Sequence, residues 1–248
     1  MRESAFEQRA QTNIQLYAQL LSTGYGMQDV GRVRAAYSLA TDLFAGQLRP
    51  EGRPFVCHLV GVSSILAMLA TPSTVVIAGL LHSAYTHGDF GAGKGRVTRR
   101  GRDRVRSTVG PQVEHIVAGY SRHAWDESSV GAWAADATGL DAEVRVLILI
   151  RLADLMEDAL DDGLLLSAKA ENPHRAISVE SLANLADVLG YPQLGSPLRR
   201  VLPQHQQAEA LAPLREPRVG SFVVGPASWR EKFLPRLVGF LRRDRADD

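Results

Sequence analysis

The chain has 248 residues, 45% hydrophobic and 22% charged, the composition of a globular protein and not of a disordered chain. Its 28 Lys and Arg against 27 Asp and Glu leave a net charge of +1, so no global field draws it to nucleic acid or to an anionic membrane. The single cysteine, Cys57, excludes an internal disulfide and any multi-cysteine zinc or iron–sulfur site. The amino-terminal Met1-Arg2-Glu3-Ser4 is polar and lacks a signal-type apolar run, and every long apolar stretch is interrupted. The expectation is a cytoplasmic protein without a membrane span.

Helical periodicity runs almost throughout. Helices are predicted over 5–23, ended near Gly24, and over 28–46, with Val30, Val33, Tyr37, Leu39 and Leu43 on one side. Two prolines and Gly52 make Leu48 to Pro54 a loop. Further helices are expected over 55–70 and 73–87, the latter capped by Ser73 or Thr74. Four glycines between Gly88 and Gly95 predict a long loop reaching about Gly101. A helix follows at 111–121, then a very apolar one at 139–160, expected at the centre of the bundle. Asn172-Pro173 breaks the chain before a helix at 177–189. Six prolines between 190 and 228 predict a loosely organised region with one helical stretch near 200–212, and Ser228 to Arg242 reads as an amphipathic helix. Only 219–224 has strand character. The prediction is an all-α bundle over 1–190 with a C-terminal extension over 191–248.

Seven histidines are present, and His58, His82, His87 and His115 fall on predicted helices near apolar positions. A buried imidazole needs a partner for each nitrogen, and either a hydrogen bond or a metal supplies one. Asp154 lies on the most apolar helix, where an unpaired carboxylate costs several kcal/mol, so it needs a cation: Arg151, another arginine, or a metal. Glu157 and Asp158 are three and four residues later and share its face. Lys94 to Arg106 carries seven cations against Asp103, either a solvated segment or a clamp for phosphate. It lacks interleaved aromatic residues, which disfavours single-stranded nucleic acid. No phosphate-binding glycine loop, nucleophile elbow or HExxH motif occurs.

Four segments carry a family resemblance. Ala45-Gly46-Gln47 followed by Gly52-Arg53-Pro54-Phe55 and His58 resembles the opening of the hydrolase domain of RelA/SpoT-type proteins, an HD-superfamily fold. Val76 to His82-Ser83 resembles that family's apolar helix ending in His-Asp, Val109 to Gly119 its F-G-x-x-V segment, and Ile148 to Asp154 its I-K-L-A-D helix. The order and intervals are those of the family, over roughly residues 25–165. The resemblance implies an all-α HD-domain-like bundle that binds one divalent metal, usually manganese, and removes pyrophosphate from guanosine tetraphosphate. It implies His58, His82 and Asp154 as metal ligands. Ser83 stands where the family has the Asp of its His-Asp pair, Thr86 and His87 where it has the two water-activating acids, and Asp158 where it has an asparagine.

These departures leave three expectations open. One is a metal-dependent phosphohydrolase acting on a nucleotide or other small phosphate ester, with His87, Glu157 and Asp158 as catalytic candidates and Arg53 and Arg151 holding phosphate. A second is an iron enzyme, oxygenase or lyase: His87 or Asp89 could repair the loss at Ser83, and His87 would enrich the shell in nitrogen. The third is a degenerate HD protein that only binds a ligand or partner. Manganese, iron and zinc are the candidate metals. Among partners, a small-molecule substrate is expected, nucleic acid and membrane are not, and a homodimer stays open.

Overall fold

A computed structural model describes residues 5–49, 51–91, 95, 97–123, 125–160, 177–206 and 222–223. The fold is all-α. After a 3-10 turn at Ala5–Gln8 come α1 (Asn13–Ser22), α2 (Met27–Leu43), α3 (Phe55–Met68), α4 (Ser73–Leu81) and α5 (Ala84–His87). They are followed by α6 (Arg99–Val109), α7 (Pro111–Tyr120), α8 (Glu127–Ala135), α9 (Ala142–Leu160), α10 (Val179–Val188) and α11 (Pro192–Gln206). The starts follow from local chemistry. Thr12 and Gln15 form a reciprocal capping box for α1, and the side chains of Thr98, Asp126 and Ser178 cap α6, α8 and α10. Pro111 opens α7 at the position where its missing N–H costs nothing.

The centre is built by α3, α4 and α9, which pack on one another. Leu59, Ile65, Leu66, Ile77, Leu80, Leu81, Ile148 and Ile150 are all fully buried there. Gly79 lets α4 approach α3: a Cβ at that position would lie 2.3 Å from Leu66 Cδ1. Around this centre, α1 and α2 cover one side, α6 and α7 another, and α8, α10 and α11 a third.

Several expectations are corrected. The predicted 73–87 helix is broken at His82 and Ser83 into α4 and α5, because the Gly79 carbonyl is taken by the backbone and the ring Nδ1 of His82. Pro72, not Ser73 or Thr74, stands at the α4 cap, and the Ser73 hydroxyl bonds Asp29 instead. The arginine-rich stretch is helix from Arg99, not loop: Gly101, Val105 and Val109 face inward and the arginines outward. Helix α8 was not expected. Helix α11 begins at Pro192 and tolerates Pro197 and Pro203 within it. Buried Leu194, Leu198 and Leu202, one turn apart, supply a stripe that outweighs the prolines, and α11 packs on α9 and α10. Within the predicted 219–224 strand, Phe222–Val223 pairs antiparallel with Gln47–Leu48 in a two-residue ladder. The expected terminal helix, most of the 191–248 extension, Asn172-Pro173, Lys94 and Arg96 lie outside the described residues. No helix among the described residues is long and apolar enough to cross a membrane.

Candidate metal centre

Helices α3, α4 and α9 converge on one cluster. Asp154 Oδ1 lies 3.1 Å from His58 Nε2 and 3.4 Å from His82 Nε2. Ligand atoms of all three residues lie within 4.8 Å of one another. Each ligand has a second partner that fixes its direction. His82 Nδ1 is 2.7 Å from the Gly79 carbonyl, which makes Nδ1 the donor and leaves Nε2 facing Asp154. His58 Nδ1 bonds Glu157 Oε2. Tyr120 donates its hydroxyl to Asp154 Oδ2. Two imidazole nitrogens and one carboxylate oxygen, each held from behind, suit a divalent transition metal such as manganese, iron or zinc.

A second set of close ligand atoms, His58 with Glu157 and Asp158, lies on the other ring nitrogen. Arginines already neutralise its acids. Glu157 Oε1 is 2.6 Å from Arg53 Nη1 and 3.3 Å from Arg9 Nε, and Arg49 pairs with Asp158. Among the described residues Asp154 makes direct ion pairs with the two histidines and with no arginine, so it is the carboxylate best placed to meet a metal.

The electrostatics follow from burial and neighbours. Burial and Arg49 oppose a charge on His58, but Glu157, Asp158 and Asp154 prevail and raise it to about 9. Burial works against ionised Asp154, yet His82 and His58 hold it well below its ordinary range. Asp158 is pushed up to about 6, by burial first, with Arg49 and His58 opposing and Asp154 and Glu157 adding to the rise. Burial places the Tyr120 hydroxyl well above its usual value, so it remains a donor.

The other sequence candidates separate. Arg151, expected as a possible partner of Asp154, stacks its guanidinium 4.0 Å from the Tyr120 ring centroid and donates to the Tyr120 carbonyl. Arg53 is engaged with Glu157 and Gln11. His87 is exposed, its Nδ1 2.8 Å from Thr86 Oγ1 and its ring 5.4 Å from that of Phe55, and it joins neither ligand set. The Ser83 hydroxyl makes no hydrogen bond to the cluster among the described residues, so neither position repairs the lost Asp. In the basic stretch, Arg102 and Arg106 pair with buried Glu114 and Arg104 with Asp42, so these three arginines tie α6 to α7 and α2. His115 is exposed and pairs with Glu143.

Sequence reasoning missed Arg9, Arg49 and Tyr120. Arg49 had a visible signal, a second cation in the Leu48–Pro54 loop beside Arg53, six residues before Phe55. Arg9 and Tyr120 reach the site only through tertiary packing.

Comparison with known proteins places these residues in context. Residues 39–123 match a family described as a domain of unknown function (DUF6817). The chain is 38% identical over 64 residues to the bifunctional (p)ppGpp synthase/hydrolase SpoT of Escherichia coli K12, which is 26% of this chain and 9% of that protein. It is 28% identical over 165 residues to a GTP pyrophosphokinase of Streptomyces antibioticus, 64% of this chain and 18% of that one. The matched segments thus span a small part of these relatives' length. A solved structure titled as a metazoan ortholog of SpoT that hydrolyses ppGpp aligns with 71% of this chain and 96% of its own, at 19% identity and a TM-score of 0.47. The chain is similar in sequence to RelA/SpoT-type proteins, as its ordered motifs implied.

Proposed function

We propose that this protein is a metal-dependent phosphohydrolase of the HD type, acting on a nucleotide or other small phosphate ester. The observation that carries the reading is the convergence of His58 Nε2, His82 Nε2 and Asp154 Oδ1 from three buried helices, each held from behind by a second group. The similarity to proteins named for guanosine-nucleotide hydrolysis and synthesis supports phosphate chemistry.

His58, His82 and Asp154 would hold one divalent ion. When bound, such an ion polarises a phosphoryl oxygen and lowers the pKa of water. Asp158 is the acid best suited to accept a proton at neutral pH, since burial raises it to about 6 and a general base works best near the operating pH. Arg151 is the candidate to hold phosphate at the rim, because its guanidinium meets a ring face and a carbonyl and pairs with no carboxylate among the described residues. Arg53 and Arg49 hold the acids in register.

The test is metal content followed by turnover. Protein purified without chelator is expected to carry about one metal per chain and, with manganese, to release phosphate or pyrophosphate from a panel of nucleotides and phosphate esters. His58→Ala, His82→Ala and Asp154→Ala should each abolish both. Absence of metal and of turnover across the panel leaves the degenerate reading. A second reading has its own support: two histidines and one carboxylate form the ligand set of non-haem iron enzymes. Selective retention of iron, with oxygen consumption and no phosphate release, would favour it.

A further inference from the structure

We propose that Glu157 is a positioning residue that fixes the His58 ring for metal binding, and that Gly61 provides the hollow in which it does so. The inference rests on the metal-centre reading above. Glu157 and Asp154 leave the same face of α9 but address opposite nitrogens of one imidazole, Glu157 at Nδ1 and Asp154 at Nε2. Glu157 is sealed from solvent, and its two oxygens are divided between His58 on one side and Arg53 and Arg9 on the other. With both oxygens taken by protein donors, Glu157, a catalytic candidate from sequence, has no free face from which to act on substrate or water.

Gly61 follows His58 by one turn of α3. A Cβ built there would lie 2.5 Å from Glu157 Oε1 and 2.7 Å from its Cγ, closer than such atoms approach. Helix α3 runs without interruption from Phe55 to Met68, so no turn requires glycine at 61. Glycine inside a helix is less stable than alanine. The close approach of the carboxylate accounts for it. Arg9 and Arg53 then anchor Oε1, leaving Oε2 to accept the Nδ1 proton and turn Nε2 toward Asp154 and His82. A carboxylate behind an imidazole sets its tautomer and direction, and its loss costs about 10–100-fold in metal affinity.

The test compares wild type with Gly61→Ala and Glu157→Gln, reading manganese affinity by paramagnetic-resonance titration and the downfield Nδ1 proton of His58 by NMR in metal-free protein above about pH 9, where the ring holds a single proton. A carboxamide has one oxygen, which the two arginines claim, so its NH2 faces Nδ1 and opposes a proton there more strongly than Asp158, whose Oδ1 lies 3.3 Å from Nδ1 and is paired with Arg49, can favour one. Both variants are expected to lose the Nδ1 proton signal and about 10–100-fold in manganese affinity, although Gly61→Ala alters no polar group. Glu157→Gln is nearly isosteric and keeps the test available if the alanine variant does not fold. A lowered melting temperature with unchanged signal and unchanged affinity overturns the proposal, because a merely structural role moves stability alone. If wild type takes up no metal, the functional reading falls by itself, and the His58 signal alone decides the positioning role.

Discussion

The Tyr120 hydroxyl donates to Oδ2 of Asp154, and this leaves Oδ1 directed at both His58 and His82. One phenol thereby selects which carboxylate oxygen faces the ligand set, and Arg151 over its ring holds the phenol in place. Tyr120→Phe removes the donor and keeps the ring. Asp154 can then rotate, and manganese affinity should fall about tenfold, the low end for an outer partner of a metal ligand. Calorimetric titration of the two proteins checks it; equal affinities would show that Asp154 needs no such hold.

Metal uptake should depend steeply on pH. In the metal-free protein His58 is raised to about 9 by its three carboxylates, against burial and Arg49. A metal needs the lone pair of Nε2, so below about pH 9 binding displaces a proton. Apparent affinity should therefore rise by about tenfold per pH unit through the neutral range and flatten above about 9. Asp154, held well below its ordinary range, adds no proton there. A titration in weak buffer would register the proton released; a pH-independent affinity between pH 6 and 8 contradicts the assignment of His58.

The parts legible in sequence were those written locally. Periodicity placed α2, α3, α7, α9 and α10 within a few residues, because a strong apolar stripe leaves few alternatives. His58, His82 and Asp154 stood out as polar groups in apolar helices. The misreadings came from punctuation weighed over periodicity. Prolines hid α11, whose Leu194-Leu198-Leu202 stripe was present all along, and glycines drew Arg99 and Arg100 into a loop that the Thr98 cap ends. What sequence could not show was who neutralises whom. Arg49 reaches Asp158 across 109 positions and Arg9 reaches Glu157 across 148, distances that no spacing rule spans.

Ser83 remains the departure with the sharpest consequence. It follows His82 directly at the break between α4 and α5, and neither it nor His87 adds a ligand to the cluster. Ser83→Asp adds a carboxylate, a far better donor to a hard cation than a hydroxyl. Manganese affinity should rise by about tenfold or more in that variant, since one formal charge joins the shell. His87→Ala should leave metal binding unchanged. Metal loss on His87→Ala, with no gain from Ser83→Asp, would mean that His87 moves into the shell and would overturn this account of the site.

The last prediction concerns stability rather than catalysis. Glu114 on α7 is almost completely buried and accepts from Tyr85, Arg102 and Arg106. Burial resists its ionisation, but the hydrogen bonds of Arg102, Tyr85 and Arg106 prevail and hold its carboxyl below the ordinary carboxylate range. A folded-state value below the unfolded one means that the stabilisation is full above the ordinary range near about 4.3. It is lost as pH falls through the lowered value. Glu114→Gln should therefore cost about 1–2 kcal/mol at pH 7, the modest end for charge-assisted bonds because both guanidiniums are half-exposed and screened. The deficit should shrink toward zero as the wild-type carboxyl protonates in acid. Urea denaturation of both proteins across pH 3 to 7 measures it, and a deficit that does not change with pH would mean that the carboxylate charge contributes nothing to tying α6 to α7.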